Sequence, residues 1–173
     1  MKLLSIIVLA LMMSACGKRI SEPTQQPEAI IVDPTFIPYV DMYLKIKGSP
    51  LQYNIPIKFT ADIEGTVIGT CTRWSDGRRE IVIDQAYWYS SYTTENQRIS
   101  LIFHELGHCD LDRGHIETKR SNGWPTSLMY PMNYGFNTPD ADYYFTELFS
   151  PQPPTSYLSM HSINGCVNDI EVK

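Results

Sequence analysis

The chain has little charge, little histidine and no long apolar run, and each shortage excludes something. Lysine and arginine total 14 against 19 aspartates and glutamates, a net charge of −5 over 173 residues. No basic patch results, which excludes the electrostatic footprint of a nucleic-acid binder. The acidic surplus is too small to name a substrate. The apolar run from Leu3 to Met13 falls short of the ~20 residues that a permanent membrane span needs. Internal repeats and low-complexity tracts are absent. The length suits one domain with a modest core.

Histidine is scarce, with 4 in the chain, and three of these fall in the single stretch His104 to His115. His104 and His108 are four residues apart and share one face of a helix, so both imidazoles can reach a single ion. Glu105 is turned by about 100° from His104 and can flank that ion without ligating it. This is the spacing of a zinc site with an adjacent general base. Neutral imidazole is the commonest protein ligand for zinc, and a catalytic site uses three protein ligands plus a position for water. Zinc lowers the pKa of that water toward ~7, and a carboxylate in reach can take its proton and pass it to a leaving amine. The expected cofactor is therefore Zn2+ and the expected catalytic base Glu105.

The rest of the chain reads as a frame for this stretch. Phe36, Tyr39, Val40, Tyr43 and Leu44 form one apolar stripe, predicting a helix near Pro38 to Lys47 that Gly48 ends. Ile55, Ile57 and Phe59 alternate with polar or small neighbours as in a strand, and Pro56 places that strand at an edge or at its start. Thr66 to Trp74 and Arg78 to Asp84 flank Ser75-Asp76-Gly77 and read as a hairpin. Tyr87-Trp88-Tyr89 reads as packing in preference to the wall of a substrate cleft. Thr94 with Gln97 is a capping box, and Ile99, Ile102, Phe103 and Leu106 give the helix behind it a buried face. A polar loop from Glu117 to Asn122 follows the histidines. A last helix is expected to start with Thr138 as N-cap and Pro139 at its first position, running to Ser150.

The N-terminus is of a different kind. Lys2, the apolar run and Met13-Ser14-Ala15-Cys16 resemble a bacterial lipoprotein signal. The resemblance implies residues 1–15 as signal peptide, lipid on Cys16, and a membrane partner through that lipid. Gly17 in place of an aspartate favours the outer membrane of the cell envelope. Residues 16–35, with Pro23 and Pro27, then serve as a flexible tether. In such an oxidising compartment Cys71, Cys109 and Cys166 remain. Three leaves at least one without an internal partner, and sequence does not say which two pair. Cys109 is expected to be buried or disulfide-bonded and not to ligate a metal.

Around the histidines the sequence resembles the metzincin metallopeptidases, the clan of astacins and matrix metalloproteases. Their pattern is H-E-x-x-H-x-x-G-x-x-H, followed by a tight turn carrying methionine beneath the metal. His104, Glu105 and His108 match its first part. Ser127-Leu128-Met129-Tyr130-Pro131 looks like the methionine turn and is similar to that of matrix metalloproteases. The order of elements agrees over residues 36–150. The resemblance implies an α+β, metzincin-like fold: a small twisted, mostly antiparallel or mixed sheet with an active-site helix and a closing C-terminal helix. Residues 151–173 form an irregular tail. It implies a zinc endopeptidase acting on peptide or protein, with Met129 as an apolar floor under the imidazoles. Tyr130 or Tyr134 is a candidate for stabilising an oxyanion.

This chain departs from the pattern in one respect. The family's third histidine lies six residues beyond the second, whereas His115 lies seven beyond His108. The family's glycine falls at Leu111, which resists the φ > 0 backbone that turns the chain back. A one-residue insertion repairs this if the chain turns at Asp112, which tolerates that region, or is freed at Gly114. His115 is the preferred third ligand, Asp112 the second choice, and Glu147 from another helix a remote third. His161 is expected at the surface. Two other readings stay open: a zinc hydrolase cutting an amide of cell-wall peptide, and a non-enzymatic envelope lipoprotein with a vestigial metal site. Retention of Glu105 speaks against the second, because a purely structural site needs no base.

Overall fold

The computed structural model describes residues 31–150. The expected signal peptide, Cys16, most of the tether, and the tail with His161 and Cys166 lie outside the described residues. Within them the fold is mixed α/β, with a three-stranded mixed sheet and four α-helices.

Pairing begins at Val32, ahead of the expected start at residue 36, through a parallel bridge to Ile57. The Asp33 carboxylate accepts the Thr35 N–H at 2.9 Å and starts a 3-10 turn, Pro34–Phe36. That turn runs directly into α1 (Ile37–Lys47). The apolar stripe faces inward, with Phe36, Val40 and Tyr43 buried and Tyr39 and Leu44 packed against the core. Gly48 closes the helix in the left-handed region, at φ 75°, with its N–H on the Leu44 carbonyl.

The strands are β1 (Ile57–Thr60), β2 (Gly69–Arg73) and β3 (Arg79–Asp84), in the order β1-β3-β2. β2 and β3 form the expected antiparallel hairpin, while β1 lies parallel to β3. Pro56 precedes β1, which occupies one edge, and its carbonyl accepts the Ile81 N–H at 2.9 Å. A proline is harmless at that position because its missing N–H interrupts no ladder. β2 forms the other edge. Trp74 N–H donates to Arg78, and Asp84 N–H donates to Ile68. These bonds fix the register so that Thr70 and Thr72 bond to β3, and the main-chain groups of Gly69, Cys71 and Arg73 point outward. Among the described residues no strand pairs with that outer edge.

Asp84 caps the short α2 (Gln85–Tyr89), its carboxylate accepting the Tyr87 N–H. Trp88 is buried edge-on against Phe36 and Tyr39, with ring centroids 4.9 and 5.0 Å away. Trp88 and Tyr87 thus take the expected packing role, while Tyr89 is exposed. α3 (Glu95–Cys109) opens with both halves of the Thr94–Gln97 capping box. Every residue from Ile99 to Cys109 is buried, so α3 is the central helix of the fold. The last helix differs from expectation at its start. Thr138 is not the N-cap of an α-helix but the first residue of a 3-10 turn, Thr138–Asp140, and α4 follows as Ala141–Phe149. Pro139 tolerates either geometry, so the sequence signal marked the place and not the pitch.

Two long-range ties fix the C-terminal end of α3. Cys109 is disulfide-bonded to Cys71 on β2, 38 residues earlier. Asp110 is fully buried and accepts from Tyr43 Oη (2.8 Å), Lys47 Nζ (2.6 Å) and the Gln52 N–H (2.6 Å). Replacing both bridged cysteines with alanine should destabilise the oxidised domain by about 3–4 kcal/mol, from the loop the bridge closes. Asp110→Ala should cost about 3–5 kcal/mol, because it leaves the Lys47 ammonium 8 % exposed and unpaired. Urea-unfolding midpoints of the two variants check both expectations.

Candidate metal centre

α3 carries His104 and His108 on one face, both 4 % exposed. Each Nδ1 is committed to a main-chain carbonyl: His104 to Leu128 at 2.6 Å and His108 to Arg113 at 2.7 Å. A carbonyl oxygen only accepts, so each Nδ1 carries the hydrogen and each neutral ring turns the lone pair of Nε2 outward. The Nε2 atoms of His104 and His108 stand 3.0 Å apart, and those of His108 and His115 stand 3.1 Å apart. Four-coordinate zinc with Zn–N of ~2.05 Å sets about 3.3 Å between ligand nitrogens. Facing lone pairs at these distances repel unless a cation lies between them. A shared proton is disfavoured: burial and the neighbouring His115 push His104 down to about 3. Burial, with His104 and His115 beside it, holds His108 well below the usual imidazole range. The three imidazoles therefore form a group able to hold a metal ion, with His104 and His108 in the neutral state that ligation requires.

His115 reaches the group because the chain reverses at Asp112, which has φ 54°. It is the only non-glycine residue with positive φ among the described residues, and Gly114 does not share that conformation. Arg113 N–H reaches back to the Gly107 carbonyl at 3.0 Å. That bond spans one residue more than the common Schellman closure, which is how the extra residue between His108 and His115 is absorbed. The Asp112 carboxylate is taken up by Arg73 at 2.6 Å and Arg79 at 2.7 Å. It belongs to the turn and not to the histidine group. Glu147, the remote alternative, is paired with Arg113, whose guanidinium also donates to the Glu147 (3.0 Å) and Leu148 (2.7 Å) carbonyls at the end of α4.

Glu105 is fully buried, and burial pushes its carboxyl up to about 8. Neither oxygen has a hydrogen-bond partner among the described residues. Such a group is expensive to bury unless something at the site satisfies it. Glu105 Oε1 lies over Gly69 of β2.

Met129 is fully buried and lies under Gly107, where an added Cβ would collide with its Sδ. The turn is held by Met129 N–H on Ser127 Oγ at 2.9 Å, and Ile116 N–H on the Met129 carbonyl at 2.8 Å brings the segment after His115 back to it. The contacts of Tyr130 and Tyr134 run instead to Lys119. Its ammonium donates to Tyr134 Oη at 3.2 Å and stands 5.1 Å from each ring centre. Sequence reasoning missed Gly69, Asp110 and Arg113. A glycine inside a strand was a usable signal for the first. The other two act through partners 34 to 67 residues away, and no local pattern announces them.

Comparison with protein-family models, with curated proteins and with solved structures gives no match for this chain.

One pH dependence follows for the chelator-treated domain. Glu105 loses its proton near 4.5 when unfolded but near 8 when folded, so its share of stability is full below 4.5 and is lost as pH rises through 8. His104 acts in the opposite sense between about 3 and 6.5. The wild-type melting temperature minus that of Glu105→Gln should therefore fall steadily from pH 5 to pH 8.5. A flat difference would show that Glu105 is not held protonated.

Proposed function

We propose that the chain is a lipid-anchored zinc endopeptidase of metzincin type, hydrolysing peptide bonds with Glu105 as general base. The observation that carries this reading is the pairing of three converging imidazole Nε2 atoms with a buried carboxylate, on the helix of His104 and His108, that has no partner among the described residues. Zinc, when bound, would supply Lewis-acid polarisation of the scissile carbonyl and an acidified water. Glu105 would serve as the proton carrier between an attacking water and the leaving amine, and its high intrinsic basicity suits both halves of the transfer. Leu128 and Arg113 carbonyls hold the His104 and His108 rings in the tautomer that ligates. Met129, buried against Gly107 of α3, would supply an apolar floor beneath the centre.

The edge of β2, with which no described strand pairs, favours an extended peptide as substrate. The outward main-chain groups of half-buried Arg73 can bond a strand laid beside them, and Gly69, itself buried, sits next to Glu105. This edge favours protein or peptide over a compact cell-wall amide, which presents little extended backbone. The cost of burying Glu105 without a structural partner weighs against a vestigial metal site. Lipid on Cys16 would hold the domain at the cell envelope, with the outer membrane favoured.

The domain purified without its first 30 residues should contain one zinc and cleave unstructured protein. A chelator should abolish cleavage and zinc restore it. Glu105→Gln should keep its zinc and lose about 100-fold to 10,000-fold in kcat. Full activity in Glu105→Gln, or purification without any metal, would sink the reading.

A further inference from the structure

Gly69 lies in the middle of a sequence of β-branched and polar residues, at the first position of β2. Its φ is not positive, so the backbone there does not call for glycine. In a strand glycine is a weak choice, and it marks bulges or close approaches. Here the approach is specific. A Cβ on Gly69 would stand 3.0 Å from Glu105 Oε1, 3.0 Å from Leu101 Cδ1 and 3.2 Å from Ile83 Cδ1. Leu101 and Glu105 are one turn apart on α3, so the absent side chain opens a slot between strand and helix. The Glu105 carboxylate occupies that slot. It has no hydrogen bond among the described residues to orient it, so packing alone sets its position.

We propose that Gly69 is a positioning residue for Glu105: the bare strand position fixes where the carboxylate sits, and any side chain there displaces it. This rests on the peptidase reading for its catalytic consequence, but the steric coupling of the two residues does not. Leu101 Cδ1 is the far end of a flexible side chain and can move aside. Glu105 Oε1 is also the end of a flexible side chain and no hydrogen bond among the described residues holds it, so the carboxylate gives way, and that movement takes it away from the place where it serves the reaction. Gly69 is buried, so an added methyl group meets Glu105, Leu101 and Ile83 and not the substrate, and the loss falls on the chemical step and not on binding.

The test combines kinetics with a double-mutant cycle. Gly69→Ala should lower kcat by about tenfold, less than the ~100-fold that a ~1 Å misplacement costs, with KM within about twofold and zinc content unchanged. In unfolding measurements Gly69→Ala should reduce the folding equilibrium constant about tenfold in the wild-type background. That penalty should largely vanish when Glu105 is replaced by alanine, because the slot is then empty. Additive effects in the cycle, or full kcat in Gly69→Ala, would overturn the proposal. A rise in KM equal to the fall in kcat/KM would also overturn it, by assigning Gly69 to substrate binding. A wild-type domain that cleaves no peptide removes the peptidase reading, and the unfolding cycle then decides the steric claim by itself.

Discussion

The metal centre depends on one short turn, Asp110 to Arg113, where α3 ends. Three of its residues carry charge, and each is tied to a different part of the fold. Asp110 binds the end of α1 and the segment after it through Tyr43, Lys47 and Gln52. Asp112 binds the two strands of the hairpin through Arg73 and Arg79. Arg113 binds the last carbonyls of α4. His108 precedes this turn and His115 follows it, and the Arg113 carbonyl also orients the His108 ring. Pairs as buried as Lys47–Asp110 and Arg113–Glu147 add little net stability, but breaking one is costly. Their physical effect is to make one arrangement of the turn far better than its neighbours. The ligand geometry inherits that uniqueness.

Burial sets the electrostatics of the centre, and it acts on ligands and base in opposite chemical senses. Withdrawal from water pushes the imidazoles down and the Glu105 carboxyl up. Both kinds of group are thereby kept neutral in the bare protein. For the histidines neutrality is the ligating state. For Glu105 it means a strong affinity for a proton, held back until a nearby positive charge favours the carboxylate. The same desolvation that makes the site costly to fold therefore leaves His104 and His108 in the state that binds a cation.

The sequence disclosed whatever is carried by short-range spacing. The i, i+4 histidines, the Thr94–Gln97 box, the stripe on α1 and the Ser75-Asp76-Gly77 turn all act within a few residues, and each appears at its expected place. The three histidines come together, as their proximity in sequence suggested. Other features depend on partners far along the chain. The parallel pairing of β1 with β3, the choice of Cys71 as the partner of Cys109, and the uses of Asp110 and Arg113 are set by tertiary packing. The start of the last helix was misplaced for a local reason. Thr138-Pro139 is compatible with a 3-10 turn as well as with the first turn of an α-helix, and only packing chooses between them.

The seven-residue step from His108 to His115 is where local rules conflict with the centre that forms. A turn at Asp112 places a branched polar residue in the left-handed region, at a cost of order 1 kcal/mol. Its charge-assisted bonds to Arg73 and Arg79 offset that cost. Those arginines stand at the turn end of the hairpin, and Cys71, two residues before Arg73, is bonded to Cys109. One end of β2 is thus fixed to the turn that delivers His115, and its other end lies against Glu105 at Gly69. The strand edge, the base and the third imidazole consequently hold one position relative to one another. The extra residue in the turn is absorbed by side chains from the strand, and the same bonds keep that strand in register with the metal-binding group.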